Sequence, residues 1–166
     1  MTTTASITRP TGPTFSQVER LIHRRSFCTL STVSASERPH SAGVLYAYAD
    51  GALYVSTDRE SRKARNIAAN PAVFMVIPVR RLPVGPPSSV QFAAEAEILG
   101  DEEIRRIAAQ GSIKAITGHG ELDREAGCFL RITPGPLMHT YGIGMSLIRL
   151  IRDPLNAAGQ VRRPDR

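Results

Sequence analysis

The feature that most constrains the fold is a succession of short β-prone segments joined mostly by turns. Residues 26–33, 39–48 and 52–57 have the alternation or the β-prone composition that is typical of strands. The pair Asp50-Gly51 stands between the second and third segments, and it is a strong signal for a two-residue hairpin. The sequence therefore predicts an antiparallel three-stranded meander before residue 60.

Helical patterns are short and do not alternate regularly with the strands. Residues 15–25 carry apolar positions at helical spacing behind a Thr14 cap, and residues 61–69 form a second helix that Asn70-Pro71 ends. Thr57 with Glu60, or Ser61 alone, is available to cap this second helix. The remaining predicted elements are strands at 72–79, 89–99, 128–133 and 137–141 and a short helix at 101–109. Six or seven strands with short helices predict a mainly β, small antiparallel barrel rather than a doubly wound sheet.

The chain is 166 residues long, which suits one domain. We expect a flexible leader at residues 1–13, the barrel at 14–144 and a basic C-terminal extension at 145–166, with the last dozen residues loosely ordered. The leader lacks the apolar run of a secretory signal, and no apolar run is long enough to span a bilayer. These features predict a cytoplasmic protein without membrane insertion.

The net charge of +6 and the pI near 10.0 favour anionic partners without identifying them. A nucleic-acid-binding role has only this charge in its favour, since aromatic residues make up 5% of the chain. Cys28 and Cys128 stand among apolar neighbours with no clustered histidine, which predicts buried reduced thiols and no metal site.

The strongest chemical signal lies in residues 53–71. Ser56 and Thr57 stand at the end of a predicted strand, and Ser61, Arg62 and Lys63 open the helix that follows. The free N–H groups and positive dipole of a helix start attract anions, and a guanidinium with an ammonium strengthens that attraction. The alternative, a solvated basic helix on the surface, is equally compatible with these residues alone.

This order of strand, Ser-Thr, turn, Ser-Arg-Lys-Ala, helix, Asn-Pro and apolar strand resembles the pyridoxamine 5′-phosphate oxidase-like family of FMN-binding split β-barrels. The resemblance covers about residues 27–99. It implies that Thr57, Arg62 and Lys63 hold the phosphate of FMN, with Ser56 and Ser61 in support.

The resemblance extends to the second and later strands. It implies that the backbone of the second strand lies along the isoalloxazine ring, and that a residue near Ser89 contacts the flavin, with Gln91 on the same strand face. The second-strand positions are Val44, Leu45 and Tyr46. Family members act as homodimers with the cofactor between the subunits, so we expect the same assembly here.

The chain also departs from true pyridoxamine-phosphate oxidases. Ala42 stands where they have a phosphate-binding arginine, Ala47 stands where they have a substrate-contacting lysine, and the chain has no tryptophan. No catalytic acid or base can be assigned. The resemblance therefore implies an FMN-dependent oxidoreductase that passes hydride between flavin and an unidentified small molecule. The alternatives are a deazaflavin-dependent reductase on the same fold and a non-catalytic flavin- or haem-binding protein.

Overall fold

The computed structural model describes residues 12–80 and 85–164. Most of the predicted leader and part of the loop after residue 80 lie outside the described residues. The described helices are α1 (Phe15–His23), α2 (Arg62–Ala69), α3 (Asp101–Ala109) and α4 (Leu147–Arg152). The described strands are β1 (Phe27–Val33), β2 (Pro39–Leu45), β3 (Ala47–Ala49), β4 (Ala52–Asp58), β5 (Ala72–Val79), β6 (Ser88–Ile98), β7 (Gly127–Tyr141) and β8 (Ala158–Arg162).

All of these strands belong to one antiparallel sheet. Their order is β2-β1-β5-β6-β7-β4-β3, with β8 paired to β7. The edge strand β2 also contacts β4, so the sheet curls until its two sides approach each other. The predicted mainly β architecture with a split barrel is thereby confirmed.

The inner face of the curled sheet forms the main core, and a helix closes each end. Val18 and Ile22 of α1 are fully buried in the same cluster as the inner side chains of β1 and β6. At the other end, Ala64 and Ile67 of α2 are buried, and α2 contacts β1, β2 and β6. The two helices therefore contribute buried side chains to the core at both ends.

Local sequence signals explain where several elements begin. Thr14 caps α1, as the sequence predicts, and the structure adds a capping box with Gln17. Asp50 and Gly51 both have positive φ, 50° and 77°, which is the geometry of the predicted two-residue hairpin between β3 and β4. Ser61 is the cap of α2, since its hydroxyl accepts the Ala64 N–H at 3.3 Å.

The predicted strand at 39–48 is divided in the structure. The chain leaves β2 at Leu45 and begins β3 at Ala47, because Tyr46 and Ala47 are both buried and the two-residue alternation fails there. The Tyr46 hydroxyl donates to the Ile22 carbonyl oxygen at 2.7 Å, which ties this break to α1.

Two other expectations differ from the structure at the C-terminal end. The segments 128–133 and 137–141 form the single fifteen-residue strand β7, which continues through Pro134-Gly135-Pro136 opposite a register shift in β6. The last dozen residues contain β8, whose pairing with β7 supplies order that local composition does not indicate. Cys28 and Cys128 are buried free thiols, as predicted.

Candidate functional site

The start of α2 combines donors of several kinds. Thr57 lies near the end of β4, and its hydroxyl oxygen is 3.4 Å from that of the Ser61 cap. In the described part of the chain, the backbone N–H groups of Arg62 and Lys63 donate to no protein acceptor. Two free N–H groups and two adjacent hydroxyls therefore stand together at the positive end of the helix dipole.

The two basic side chains at this helix start lack protein counterions. Arg62 is exposed and Lys63 is half-buried, and neither has a carboxylate within salt-bridge distance among residues 12–80 and 85–164. Burial raises the pKa of the Cys128 thiol; the charges of Arg59 and Lys63 act to lower it, and the charge of Asp58 acts to raise it. Cys128 pairs with Thr57 across β4 and β7, so Lys63 lies near the same strand end as Thr57. This arrangement suits a bound anion with several oxygens.

Ser56 faces away from this group. Successive strand residues point to opposite faces, so Ser56 lies on the side of its neighbour Phe129, within a second apolar cluster under α3. The structure thus brings Thr57, Ser61 and Lys63 together but turns the Ser56 side chain to the other face of the sheet.

The predicted second-strand residues divide between the two sides of the sheet. Val44 and Tyr46 are buried in the core, whereas Leu45 is 63% exposed on the outer face. Tyr46 N–H donates to the Ser26 carbonyl, so by the alternation of an antiparallel ladder the N–H and C=O of Leu45 point to the open edge of β2. The backbone of Leu45 is available to a ligand along that edge.

Ser89 and Gln91 lie on the same outer face as Leu45. The Gln91 amide donates to the Ser89 hydroxyl at 3.0 Å, and both side chains are half-buried. Gln91 pairs with Val76 of β5 and with His139 of β7. Three strand spacings, about 14 Å, separate β6 from β2. Ser89 and Gln91 therefore lie on one side of this open surface, and Leu45 lies on the other.

The outer face of β1, β2 and β5 carries exposed apolar side chains around a hydrogen-bonded Ser31–Ser41 pair. Phe27, Leu45 and Phe74 are 48%, 63% and 40% exposed, and all three lie on it. Gly43 makes room for the Phe27 ring, because a Cβ at this position would lie 2.8 Å from the nearest ring carbon. An apolar face of this kind on a small protein indicates a contact surface.

Sequence reasoning missed a buried polar contact beside the α2 site. The Asn66 amide donates to the Thr32 hydroxyl at 2.9 Å, and both residues are buried where α2 meets β1. The sequence could have indicated this contact, because Asn66 lies beside Ile67 on the buried face of α2. Next to this pair, His40 has a buried Nδ1 without a hydrogen-bond partner among the described residues.

The positions where the family carries additional basic residues contain none here. Ala42 is half-buried opposite Leu30, and Ala47 is buried in the second apolar cluster. Among the described residues, no group of three or more His, Cys, Asp and Glu side chains is placed to hold a metal. The described basic side chains of the candidate site therefore lie at the α2 start and not on β2.

The fold is a split barrel in which the free N–H groups at the start of α2 and the open edge of β2 form the candidate site. The sequence model of the pyridoxamine 5′-phosphate oxidase family matches residues 15–134, which is well over half of the chain. The chain belongs to that family. No curated protein matches the sequence.

Solved structures with the same fold have varied ligands. The haem storage protein HutZ of Vibrio cholerae is 17% identical, with a TM-score of 0.59 over 75% of this chain and 92% of that one. General Stress Protein 26 of Bacillus anthracis is 25% identical, with a TM-score of 0.56 over 75% and 91%. An FAD-binding protein of Mesorhizobium loti is 19% identical, with a TM-score of 0.59 over 72% and 86%.

Proposed function

We propose that the chain is an FMN-dependent oxidoreductase that passes hydride between the flavin and a small molecule. The observation that carries the proposal is the α2 start, where two free N–H groups, two hydroxyls, Arg62 and Lys63 meet without a protein counterion. Family membership and the similarity to an FAD-binding protein add support for a flavin. FMN fits better than a longer cofactor because this group of donors suits a single terminal phosphate.

The residues have distinct roles in this proposal. The Arg62 and Lys63 N–H groups and side chains bind the phosphate oxygens, and Thr57 and Ser61 supply hydroxyl donors. The Leu45 backbone borders the flavin ring along the open edge of β2, while Val44 and Tyr46 hold that strand in place from the core. When bound, the flavin supplies the redox chemistry, so the protein needs no acid or base of its own at the reacting atom.

We also propose that two chains associate through the outer face of β1, β2 and β5. Phe27, Leu45 and Phe74 would leave water on association, and Ser89 and Gln91 lie on the same side of the sheet. A two-fold arrangement would give two equivalent sites bordered by both subunits. No described helix is long and apolar enough to cross a membrane. A cytoplasmic location remains a prediction.

The test is the ligand content of the purified protein and its affinity for added FMN. We expect a visible flavin spectrum or saturable FMN binding, and a loss of affinity of about a hundredfold in Arg62→Ala/Lys63→Ala, since two charge-assisted contacts are removed. Arg106→Ala/Arg149→Ala removes the same charge from exposed positions on other helices and should bind FMN like the wild type. A protein that binds no FMN would overturn the proposal, and a deazaflavin titration would then test the alternative cofactor.

Haem binding is the second candidate, and the structural similarity to a haem storage protein favours it. His139 is exposed on the outer face beside Gln91, where it is accessible as an axial ligand. A haem titration separates the candidates: a Soret band that His139→Ala shifts, together with no FMN binding, would favour haem. Binding of FMN without reduction by any nicotinamide would indicate a non-catalytic flavin carrier.

A further inference from the structure

A second concentration of positive charge lies at the end of the barrel that α1 closes. A cavity of about 470 Å³ opens between α1, the end of β5 and the turn after β7. This volume is large enough for a small ligand. Its lining includes four arginines, namely Arg20, Arg24, Arg25 and Arg80.

The charge in this cavity is not compensated by the protein. No acidic residue lines it, and none of the four arginines forms a salt bridge within residues 12–80 and 85–164. Glu19, the adjacent carboxylate in sequence, accepts a hydrogen bond from Tyr48 at 2.8 Å and borders a neighbouring cavity that Arg20 and Asp50 also line. Like charges gathered in a concave site raise its potential and draw in anions.

Helix stabilisation accounts for only part of the cluster. Cations near the C-terminus of α1 are stabilised by the helix dipole, which accounts for Arg20 in the last turn and Arg24 at the cap. Arg80 follows the strand β5 and has no such role. The convergence of Arg80 with the helix arginines therefore needs another reason.

Arg25 supplies the second observation. One of its terminal nitrogens donates to the Arg80 carbonyl at 3.1 Å, which holds the two residues together across the cavity wall. Its Nε is buried and has no hydrogen-bond partner among the described residues. The Arg25 guanidinium therefore has one contact to the protein, at the Arg80 carbonyl, and no carboxylate partner among the described residues.

This cavity is separate from the α2 site. The strand β5 begins just after α2 and ends beside Arg80. Its eight residues span about 26 Å, which is longer than the reach of one phosphate group. The two basic sites are therefore distinct.

We propose that this cavity, the arginine cavity, binds the phosphate or carboxylate group of a small anionic ligand. Arg20, Arg24 and Arg25 contact the oxyanion with Arg80 at the rim, and Leu21, Val79 and Ile143 offer apolar walls to the rest of the ligand. The inference does not depend on flavin binding, since none of its residues belongs to the α2 site.

Isothermal titration calorimetry with inorganic pyrophosphate and with citrate tests the proposal. The comparison of the two probes distinguishes phosphate recognition from carboxylate recognition. The titrations use the Arg62→Ala/Lys63→Ala background, so that the α2 site does not contribute. We expect saturable binding of at least one probe, with amide NMR shifts at Val79, Ile143 and Gly144, and affinity that falls with salt.

The exposed pair Arg20→Gln/Arg24→Gln, which makes no side-chain hydrogen bond to a described residue, should weaken binding about tenfold or more. The matched control is Arg149→Gln/Arg152→Gln, two exposed arginines on α4, and it should change affinity less than about twofold. The proposal would be overturned if neither probe binds saturably. It would also be overturned if the control variant loses as much affinity as Arg20→Gln/Arg24→Gln. A loss of FMN binding alone would leave it standing.

Discussion

Tyr46 is the residue at which β2 gives way to β3, and its side chain links that point to α1. The hydroxyl is buried and donates to the Ile22 carbonyl at 2.7 Å. A sequence pattern marks Tyr46 as strand-prone, but it does not show that the ring points inward or that the backbone N–H pairs with the Ser26 carbonyl. Tyr46 is therefore a structural residue, and the backbone that faces the open strand edge is that of Leu45.

Replacing Tyr46 with phenylalanine tests that structural role. We expect Tyr46→Phe to lower the free energy of unfolding by about 1–2 kcal/mol, because the Ile22 carbonyl loses its buried donor. Urea unfolding measures the change. Tyr141→Phe, at a half-buried position on the outer face, should cost less than about 0.5 kcal/mol. Equal effects of the two substitutions would contradict a specific role for the Tyr46 hydrogen bond.

Ionisation of the Cys28 thiol should make the free energy of unfolding depend on pH in the alkaline range. Burial raises its pKa from about 9.0 to about 12, so the unfolded chain releases this proton before the folded chain does. The contribution of the protonated thiol to the free energy of unfolding is therefore fully present below pH 9. It is lost between pH 9 and pH 12, by up to about 1.4 kcal/mol per pH unit.

Cys28→Ala should flatten that alkaline decline, whatever it does to stability at pH 7. Urea midpoints measured from pH 7 to 11 give both slopes. Burial also raises the pKa of Tyr46, so part of the decline should remain in the variant. Curves that run parallel for the wild type and Cys28→Ala across this range would refute the role assigned to the thiol.

Among the elements, β8 shows how a distant contact orders a segment with weak local signals. Arg163, just after β8, donates to the Pro134 carbonyl at 2.7 Å and to the Gly51 carbonyl at 3.2 Å. These bonds join the end of the chain to the middle of β7 and to the β3–β4 hairpin. The basic C-terminal extension is thus partly built into the sheet.

Loss of this contact should be measurable as lower stability. We expect Arg163→Ala to destabilise the fold by about 1–3 kcal/mol, since two charge-assisted hydrogen bonds disappear. Thermal and urea unfolding give the value. The neighbouring Arg162 is exposed, and Arg162→Ala serves as the control with little expected effect. If both variants unfold like the wild type, Arg163 does not hold β8 in place.

The start of α2 shows the opposite relation between sequence and structure at the element scale. Its strand, hydroxyls, cap and basic pair follow one another along the chain, so the sequence alone places them together. Only Ser56 departs from the group, because the strand alternation turns it toward Phe129. Residues that are adjacent in sequence can be placed together without tertiary information, and their role as a binding site remains a prediction.

For the whole molecule, the exposed face of β1, β2 and β5 predicts the assembly. We expect a homodimer of twice the 18.0 kDa chain mass, and Leu45→Arg/Phe74→Arg should convert it to monomer, since two charges would be buried at the contact. Light scattering measures the mass. Ile148→Arg/Ile151→Arg changes two other exposed apolar residues, on α4, and should leave the dimer intact. A wild-type monomer, or a double variant that still dimerises, would exclude this face as the interface.

The sequence by itself determined the strand-rich architecture, the Thr14 cap, the Asp50-Gly51 hairpin and the residues at the start of α2. Each depends on neighbours within a few positions, whose backbone preferences and side-chain chemistry act locally. The resemblance to the family predicted that these strands form a split barrel.

Only the tertiary structure decided which faces the side chains take and which distant groups meet. It divided 39–48 at Tyr46, joined two predicted strands into β7 and added β8, because burial and long-range pairing outweighed local preference at these positions. It also brought Arg80 to Arg25, fifty-five residues earlier in the chain. No local pattern encodes that meeting, since it follows from the path of β1 and β5 through the same sheet.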